Sequence, residues 1–277
     1  MRRLSWLRRN KLLAFAAAFV LLQVLLALGA AWIAPYDPMA QSVARRLRGP
    51  GELHWLGTDQ LGRDVLARIL HGYRTSLLAC TVAVTVALFV GGMFGLLAAY
   101  YRGWLDRILM RLMDVLFAFP VMLLAIGVIA VLGPHTSSAA IAIAVVYTPI
   151  FARLLRGPAF VICESEYVMG ARAIGASDGR IIVRHVLPNL ASVILVQTSL
   201  LLSAAVLVEA SLSFLGLGTQ PPTPSLGLML AEGRNFLLLS PWSAIFAGFA
   251  ILFLSFGFNL LGDALRDTLD PRLRGQP

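Results

Sequence analysis

The chain has 277 residues, of which 58% are hydrophobic and only 13% are charged. Soluble domains are about half apolar and about one quarter charged, so this composition excludes an ordinary soluble domain. The formal net charge of +9 comes from arginines near the ends of apolar runs, and nucleic acid is not needed to explain it.

Apolar runs of roughly 20 residues can cross a ~30 Å hydrocarbon layer as helices. The first run is interpreted as a retained span and not as a signal peptide, because about 22 apolar residues exceed the roughly 7–15 of a signal sequence. The fold class is therefore all-α, a polytopic transmembrane helical bundle. It has about six predicted spans, at residues 12–33, 76–101, 112–132, 138–155, 190–212 and 242–262.

The second predicted span carries Gly91, Gly95 and Ala99 at four-residue spacing. Small residues repeated at this interval lie on one face of a helix and let another helix approach closely. The ridge therefore predicts close helix packing and not a binding site.

Basic residues indicate which loops lie in the cytoplasm. Sixteen Arg and Lys residues fall on one side of the predicted bundle and seven on the other. Because positive charge favours the cytoplasm, both termini and the 166–189 loop are predicted to be cytoplasmic. Arg45, Arg46 and Arg48 lie on the other side, in a long first loop where the rule has less force.

This topology divides the chain into four predicted parts. Residues 1–34 form a cytoplasmic N-terminus and the first transmembrane helix, and residues 35–75 form a periplasmic segment. Residues 76–262 form a five-helix core that contains a cytoplasmic loop at 157–189, and residues 263–277 form a cytoplasmic tail.

The sequence has no pattern that is typical of an enzyme. Lys11 is the only lysine and follows Asn10, which excludes a phosphate-binding loop of the G-x-x-x-x-G-K-[ST] type. The four histidines lack metal-ligand spacing, and no G-x-S-x-G elbow is present. Cys80 and Cys163 fall at different levels of the bundle and are predicted to stay unpaired. We predict no catalytic residue and no metal site, and expect the chain to move a solute across the membrane.

The stretch EYVMGARAIGASDGRIIVRHVLPN, residues 166–189, is much longer than a connection between two spans requires. Ser165 can cap a first helix whose N-terminus is favoured by the charge of Glu166. Gly175 can end that helix in the left-handed conformation, and Ser177 can cap a second one. The pattern predicts a helix, a glycine turn and a second helix at the cytoplasmic surface.

The first helix of this loop has an apolar, small-sided face formed by Tyr167, Ala171 and Ile174. Such a helix can lie on lipid or dock into a groove of a partner protein. The glycine turn favours docking over a plain interfacial helix.

A second polar stretch, HWLGTDQLGRDVLARILHGYRTSL at residues 54–77, precedes the second span. Thr58 or Asp59 can cap a helix that continues through Arg63 to Leu70, and Asp59 can pair with Arg63 four residues later. The helix has an apolar stripe. It is predicted to lie at the membrane surface, and equally to act as a lid or as a contact for a binding protein.

Polar residues within the spans are few because they are costly there. Gln197, Ser199 and Ser203 lie in the fifth span, and Glu209 lies near its outer end. These four residues are candidates for lining a transport pathway, and hydrogen bonds between helices explain them equally well.

The 166–189 loop resembles the coupling motif of ATP-binding-cassette (ABC) importer permeases, which is E-A-A, three residues, G, nine residues, I, one residue, L-P. Gly175 stands at the glycine, Leu187 and Pro188 at the terminal pair, and Ala171 at the second alanine. Three positions depart from the motif without altering its helix–turn–helix shape: Met169, Gly170 and His185.

The likeness extends from the first span to the tail. Residues 54–77 resemble the segment after the first span in the dipeptide, oligopeptide and nickel permeases. EASLSFLGLGTQPP at 209–222 resembles the end of their fifth span, and GDALRDTLDPRLR at 262–274 resembles their tail. Together these motifs are similar to the second permease of the pair.

The resemblance implies the type I ABC importer permease fold in a bacterial inner (cytoplasmic) membrane. It implies four kinds of partner: a second homologous permease, two ATPase subunits that hold ATP and Mg²⁺, an outer solute-binding protein, and membrane lipid. No cofactor in this chain and no nucleic acid are implied. The loop would be the coupling helix, with contacts at Tyr167, Ala171, Arg172, Gly175, Ser177, Leu187 and Pro188. The outer segment would touch the binding protein or form a gate through Gly57, Thr58, Asp59, Gly62, Arg63 and Asp64.

Dipeptides and oligopeptides are the cargo that this resemblance implies, and nickel or a metal chelate is the alternative. A second class of function is a stand-alone transporter driven by an ion gradient. It would need buried carboxylates or broken helices near the mid-plane, for which the chain has few candidates. A purely structural membrane anchor explains neither the loop nor the outer motif.

Overall fold

The structure is a computed structural model that describes residues 10–269. Within this range all regular elements are helical, and the only extended pairing is an isolated bridge between Thr58 and Asp64. This confirms the all-α prediction. The helices are α1 (Lys11–Leu28), α2 (Ala30–Ile33), α3 (Val65–Tyr101), α4 (Gly103–Phe117), α5 (Val121–Leu132), α6 (Thr136–Cys163), α7 (Glu166–Ala173), α8 (Asp178–Ile181), α9 (Leu187–Phe214), α10 (Leu226–Arg234) and α11 (Trp242–Leu269). The predicted basic cluster at 2–9 and the tail beyond Leu269 lie outside the described residues.

Among residues 10–269, five helical segments are long and apolar enough to cross a membrane, and a bent pair of helices brings the number to six if the pair is one span. The segments extend beyond the predicted spans: α3 begins at Val65 and not near 76, and α6 continues to Cys163 and not to 155. The polar residues at the ends of these spans are helical because they continue the backbone hydrogen bonding of the apolar helix.

The prediction of one continuous third span at 112–132 is wrong. Residues 103–117 and 121–132 form separate helices, α4 and α5, whose axes differ by 91°. The break coincides with Pro120, which cannot donate a backbone hydrogen bond and disfavours helical conformation at Phe119. α4 is therefore a separate helix that runs across the direction of α5.

The most extensive packing joins α3 to α6. A Cβ added at Gly91 would lie 2.1 Å from the carbonyl oxygen of Thr148, and one added at Gly95 would lie 2.3 Å from that of Ala152. These two glycines are therefore at positions where the backbones approach too closely for any side chain. The predicted small-residue packing ridge is confirmed.

The remaining helices pack around this pair. α9 lies along α11, and α10 packs against both of them, while α1 packs against α11. Gln23 of α1 is buried and donates a hydrogen bond of 2.6 Å to the carbonyl oxygen of Phe253. Large apolar side chains cover much of the exposed surface, as expected for helices in contact with lipid or other membrane helices.

The bundle has two ends, which carry the two polar regions singled out by the sequence. The Asp59 end comprises residues 35–64, the start of α3, and α10. The Asp178 end comprises the C-terminal end of α3, the C-terminal end of α6, and α7 with α8.

Candidate functional site

The Asp59 end begins with a tight loop over residues 57–64, and the predicted helix from Thr58 or Asp59 is wrong. Gly57 and Gly62 have φ values of +82° and +74°, which a right-handed helix cannot accommodate. The helix begins only at Val65, where the Asp64 carboxylate accepts a hydrogen bond of 2.7 Å from the backbone N–H of Ala67. The predicted helix therefore starts too early: residues 57–64 form a loop, whereas residues 65–70, which carry the apolar stripe, are helical as the start of α3.

A buried ionic cluster fills this loop. The Asp59 carboxylate accepts hydrogen bonds from Arg63 Nε at 2.6 Å and from Arg68 Nη1 at 2.5 Å. Asp59 is fully buried, and the two arginines are 3% and 1% exposed. The prediction that Asp59 pairs with Arg63 is confirmed, although the pair lies in a loop and not along a helix. We refer to Asp59, Arg63, Arg68 and Glu232 as the ionic cluster.

Glu232 of α10 completes the cluster and was missed by the sequence analysis. Its Oε2 atom accepts from Arg63 Nη2 at 3.0 Å and from Arg68 Nη1 at 2.8 Å. Two carboxylates therefore balance two guanidinium groups, which burial requires. Glu232 is the only acidic residue between Glu209 and Asp263, and this isolation within an apolar region is the signal that marks it.

Further polar contacts hold the loop to residues 42–54. His54 Nδ1 lies 2.8 Å from the Asp64 carboxylate, and Thr58 accepts from the backbone N–H of Arg48 at 3.0 Å. Thr58 also donates to the carbonyl oxygen of Arg45. The six residues predicted at this segment thus lie together in one structured loop. Because Thr58, Asp59, Arg63 and Asp64 are buried within the chain, they form the interior of this end and not its exposed surface.

The Asp178 end contains the predicted helix, glycine turn and second helix. α7 ends at Ala173, and Gly175, two residues later, has a φ of +82°. The backbone N–H of Gly175 donates to the carbonyl of Arg172 at 2.9 Å, and that of Ala176 donates to the carbonyl of Ala171 at 3.0 Å. This pair of bonds is a Schellman motif, which terminates a helix with a glycine in the left-handed conformation. The predicted conformation of Gly175 is confirmed.

Two predicted caps differ in detail. Ser165 and Ser177 do occupy the cap positions of α7 and α8, but neither side chain caps its helix. The hydroxyl of Ser165 instead donates backwards to the carbonyl of Ile162 at 2.6 Å, at the end of α6. A serine hydroxyl can hydrogen-bond to backbone groups that precede or follow it in the sequence. Ser165 donates to a carbonyl of the preceding helix.

The loop is anchored to α3 by aromatic side chains. Tyr100 and Tyr101 both donate to the Asp178 carboxylate, at 2.7 Å and 3.2 Å. The guanidinium of Arg172 lies 4.8 Å from the centroid of the Tyr100 ring, within the range of a cation–π contact. The end of α3 and the glycine turn are therefore held together by direct contacts from both loop helices.

The predicted docking face of α7 is partly wrong. Ala171 is only 9% exposed and, with Val168, packs into an apolar cluster of the chain itself. Ile174, in contrast, is 87% exposed. The spacing predicted that Tyr167, Ala171 and Ile174 share one face, but Ala171 faces inward, whereas Tyr167 and Ile174, which lies just beyond the helix end, are exposed.

Three apolar side chains are consequently presented by α7 and its C-terminal turn. Ile174, Met169 and Tyr167 are all substantially exposed, as is Val183 further along the loop. We call Tyr167, Met169 and Ile174 the apolar knob. Arg172, Gly175, Ser177 and Pro188 are also exposed around it, whereas Leu187 lines an apolar groove between α3, α6 and α9.

The four pathway candidates in α9 are not brought together on one surface. Ser203 donates to the carbonyl of Ser255 on α11 at 2.8 Å, a bond between helices, and Ser199 donates to the carbonyl of Leu195 at 3.0 Å. Glu209 is 1% exposed and accepts from Ser213 at 2.8 Å. Only Gln197 lines an open cavity, of about 440 Å³, whose wall includes Arg266. A pathway role stays a prediction for all four.

No group of three or more His, Cys, Asp or Glu side chains in residues 10–269 is arranged to hold a metal ion. Cys80 and Cys163 are both buried and free. Every member of the ionic cluster is paired within the chain, although Nε and Nη2 of Arg68 are buried without a hydrogen-bond partner.

Two family models match the chain. Residues 91–275 match the binding-protein-dependent transport system inner membrane component. Residues 2–50 match the N-terminal transmembrane domain of oligopeptide transport permease C. The first match covers most of the bundle, including the whole Asp178 end, and the second covers α1 and α2.

Curated relatives match over nearly the whole chain. A glutathione transport system permease protein of Pectobacterium atrosepticum is 47% identical over 94% of this chain and 86% of the relative. A dipeptide transport system permease protein of Alkalihalophilus pseudofirmus is 43% identical over 97% and 88%. Among solved structures, an inward-facing MetNI methionine ABC transporter matches with a TM-score of 0.61 and 16% identity, over 73% of this chain and 97% of that chain. This last match supports the fold alone.

Proposed function

Because the chain belongs to the family of binding-protein-dependent transport system inner membrane components, we propose that it forms half of the membrane pathway through which an ABC importer moves small peptides. The chain is a multi-pass transmembrane permease with the fold of an ABC importer subunit. The apolar knob is the observation that carries the coupling part of this proposal. It is exposed and rigidly attached, as a contact that transmits force must be.

Peptide is the proposed cargo. Two relatives that align with nearly the entire chain are named for the transport of glutathione and of dipeptides, and both ligands are short peptides. These names favour peptides over nickel, the alternative considered from the sequence. The specificity of the system would be set mainly by the binding protein that delivers the peptide.

The proposed partners are a second permease, two ATPase subunits and a solute-binding protein. ATP and Mg²⁺ would be bound by the ATPase subunits, and this chain would hold neither. A chain that does not hydrolyse ATP must receive energy by contact, and the apolar knob would sit in a groove of one ATPase. Because Val168 and Ala171 fix α7 to the bundle, a rigid-body motion of the ATPase would pass directly to α6 and α9.

The proposed orientation places the Asp178 end in the cytoplasm of a bacterial inner-membrane protein. At the Asp59 end, Arg63 and Arg68 are neutralised inside the ionic cluster. The Asp178 end carries exposed arginines such as Arg180 and Arg184. Exposed arginines also occur at the Asp59 end, at Arg45, Arg46 and Arg48, so the support for the cytoplasmic assignment is the count of basic residues, sixteen against seven. Both termini would then be cytoplasmic as well.

Co-purification tests the proposal. The chain would be tagged, extracted from native membranes in mild detergent, and reconstituted into liposomes with the proteins that co-elute and with the binding protein. We expect a second permease and ATPase subunits to co-elute, and uptake of a labelled dipeptide or of glutathione to require ATP. Reactions without ATP and without the binding protein are the controls. Uptake by the chain alone, driven by an ion gradient, would overturn the importer assignment.

A further inference from the structure

The helix α4 is amphipathic, and one of its faces packs on the bundle while the other is exposed and apolar. On one face, Met113 is buried, and Asp106 forms a two-pronged ion pair with Arg156 of α6, both N–O distances being 2.6 Å. Asp114 pairs with Arg153 of the same helix. Both acidic residues of α4 are therefore neutralised by α6, and this face is fixed to the bundle.

The other face is apolar and uncovered. Trp104, Ile108, Leu112 and Val115 follow one another at intervals of three and four residues, so they form one strip. Each of the four is at least half exposed, and Trp104 is 70% exposed. Nothing in the described chain packs over this strip.

Two arginines flank the strip. Arg107 and Arg111 are one helical turn apart, and both are exposed. Among residues 10–269 neither forms an ion pair or a hydrogen bond, in contrast to Arg153 and Arg156. With Asp106 and Asp114 already neutralised, α4 carries two uncompensated positive charges beside an apolar strip.

The bend places this helix across the bundle. α4 directly follows the end of α3, where Tyr101 contacts Asp178, so it lies at the Asp178 end. α5 packs along α6, and the axis of α4 is turned by 91° from that of α5. If α5 enters the membrane beside α6, then α4 lies in the plane of the cytoplasmic surface.

We propose that α4 is an in-plane helix that binds anionic phospholipid of the cytoplasmic leaflet. Arg107 and Arg111 pair with headgroup phosphates, and the apolar strip from Trp104 to Val115 lies at the level of the upper acyl chains. The composition fits this role, since interfacial helices combine arginine on the polar face with tryptophan and aliphatic residues on the other. The proposal rests on the orientation proposed above and is independent of the peptide cargo.

The lipid assignment is favoured over a protein neighbour by the charges. A partner helix that covered the strip would also desolvate Arg107 and Arg111, which is costly unless the partner supplies carboxylates for both. A leaflet of anionic lipid supplies negative groups along the whole helix. The ion pairs to Arg153 and Arg156 would then connect this lipid contact to α6, which leads into α7.

The test uses the assembled transporter in nanodiscs. Ile108→Cys is labelled with bimane, and the quenching of its fluorescence by brominated phosphatidylglycerol in a phosphatidylcholine bilayer is titrated. The same complex without the new cysteine measures any label on Cys80 and Cys163. Brominated phosphatidylcholine added in the same way measures contact with neutral lipid.

We expect quenching by both lipids, with a clear preference for phosphatidylglycerol. Each arginine near an anionic membrane surface strengthens binding by about five-fold. The double variant Arg107→Gln with Arg111→Gln should therefore weaken the preference for phosphatidylglycerol by up to about 25-fold. Arg180→Gln with Arg184→Gln removes the same charge from the same end without touching α4, and should leave the preference unchanged. Co-elution of the partner subunits verifies that each variant assembles.

Two results would overturn the proposal. If neither brominated lipid quenches the label, α4 is covered by protein, and the second permease is the occupant of the strip. If both lipids quench equally and the arginine variants change nothing, the helix lies on the membrane without binding anionic lipid. Neither result bears on ATP-dependent peptide uptake, so failure here is distinguishable from failure of the proposed function.

Discussion

The two ends of the bundle use their charged residues in opposite ways. At the Asp59 end, Arg63 and Arg68 are buried, and each pairs with both Asp59 and Glu232. At the Asp178 end the polar residues are mostly exposed, and the apolar knob extends outward. At the first end the charged groups pair within the chain, although Nε and Nη2 of Arg68 have no hydrogen-bond partner. The second is left incomplete, which is what a surface that must engage a separate subunit requires.

The glycines of the two loops show the same contrast. Gly62 and Gly175 both have positive φ, yet a Cβ at Gly62 would lie 2.0 Å from the carbonyl oxygen of Ser42. A Cβ at Gly175 would meet nothing within 4 Å. Backbone of the same chain therefore packs directly against Gly62 in the Asp59 loop, whereas no described residue packs against Gly175.

Removing the central carboxylate of the ionic cluster should have the largest effect. Asp59→Asn keeps the shape of the side chain but leaves two buried arginines with one carboxylate. We expect the free energy of unfolding to fall by about 3–5 kcal/mol, measured by titration with dodecyl sulfate in mixed micelles. Asp37→Asn, an exposed residue of the same segment, is the matched control and should change it by less than about 1 kcal/mol.

An equal, small effect of Asp59→Asn and Asp37→Asn would contradict the view that the Asp59 end is an internal part of the fold. It would show that water reaches the two arginines in the membrane protein. The ionic cluster would then be as loosely held as the loop at the other end, and the comparison between the two ends would fail.

Replacing Gly62 and Gly175 by alanine should give the next largest difference in the free energy of unfolding between the two loops. Both Gly62→Ala and Gly175→Ala place a side chain in the left-handed conformation, which costs roughly 1–2 kcal/mol. Gly62→Ala must in addition displace the backbone at Ser42, so we expect it to lower the free energy of unfolding by more than about 2 kcal/mol. The same titration measures both variants. Equal losses would mean that the 42–62 contact does not constrain the loop.

The sequence predicted the turn at Gly175 better than the loop at Asp59. The reason is the separation along the chain of the residues that interact. Gly175 was predicted because a helix stop is encoded within a few residues. The pairing of Asp59 with Arg63 was predicted, but on a helix, since four-residue spacing does not reveal the positive φ of Gly62. Glu232 lies 169 residues from Arg63, and no local pattern connects residues so far apart.

The membrane helices and the face of α7 illustrate the same limit. Six apolar runs could be found because each contains its own signal over roughly 20 residues. Periodicity placed Ala171 and Ile174 on one face of α7, whereas only Ala171 is buried. Which of them faces the bundle depends on Tyr100, Cys163 and the rest of the apolar cluster, and that packing is tertiary.

The two residues of α7 provide the third prediction. Ala171→Leu adds volume inside the apolar cluster, and we expect the free energy of unfolding to fall by about 1–2 kcal/mol through overpacking. Ile174→Ser, its matched control on the surface, should change that energy by less than about 0.5 kcal/mol. In the reconstituted transporter, Ile174→Ser should still weaken binding of the ATPase subunits by more than about 1 kcal/mol.

The measurements for this pair are dodecyl sulfate titration of the chain and co-elution of ATPase subunits at graded concentration. If Ile174→Ser leaves both ATPase binding and ATP-dependent uptake intact, the apolar knob is not the coupling contact. If Ala171→Leu affects coupling without lowering stability, Ala171 touches the ATPase after all, and the inward orientation of α7 is wrong.

The exposed ion pair between Arg102 and Glu164 should have the smallest effect. These side chains are 40% and 54% exposed and 2.9 Å apart, so water and salt screen their attraction. Glu164→Gln should therefore lower the free energy of unfolding by at most about 1 kcal/mol, and by less at high salt. Arg102 would keep its stacking contact with the Phe160 ring, whose centroid lies 4.1 Å away. A loss as large as that of Asp59→Asn would mean that a partner or membrane surface buries this pair, and the Asp178 end would then be less open than its exposed residues indicate.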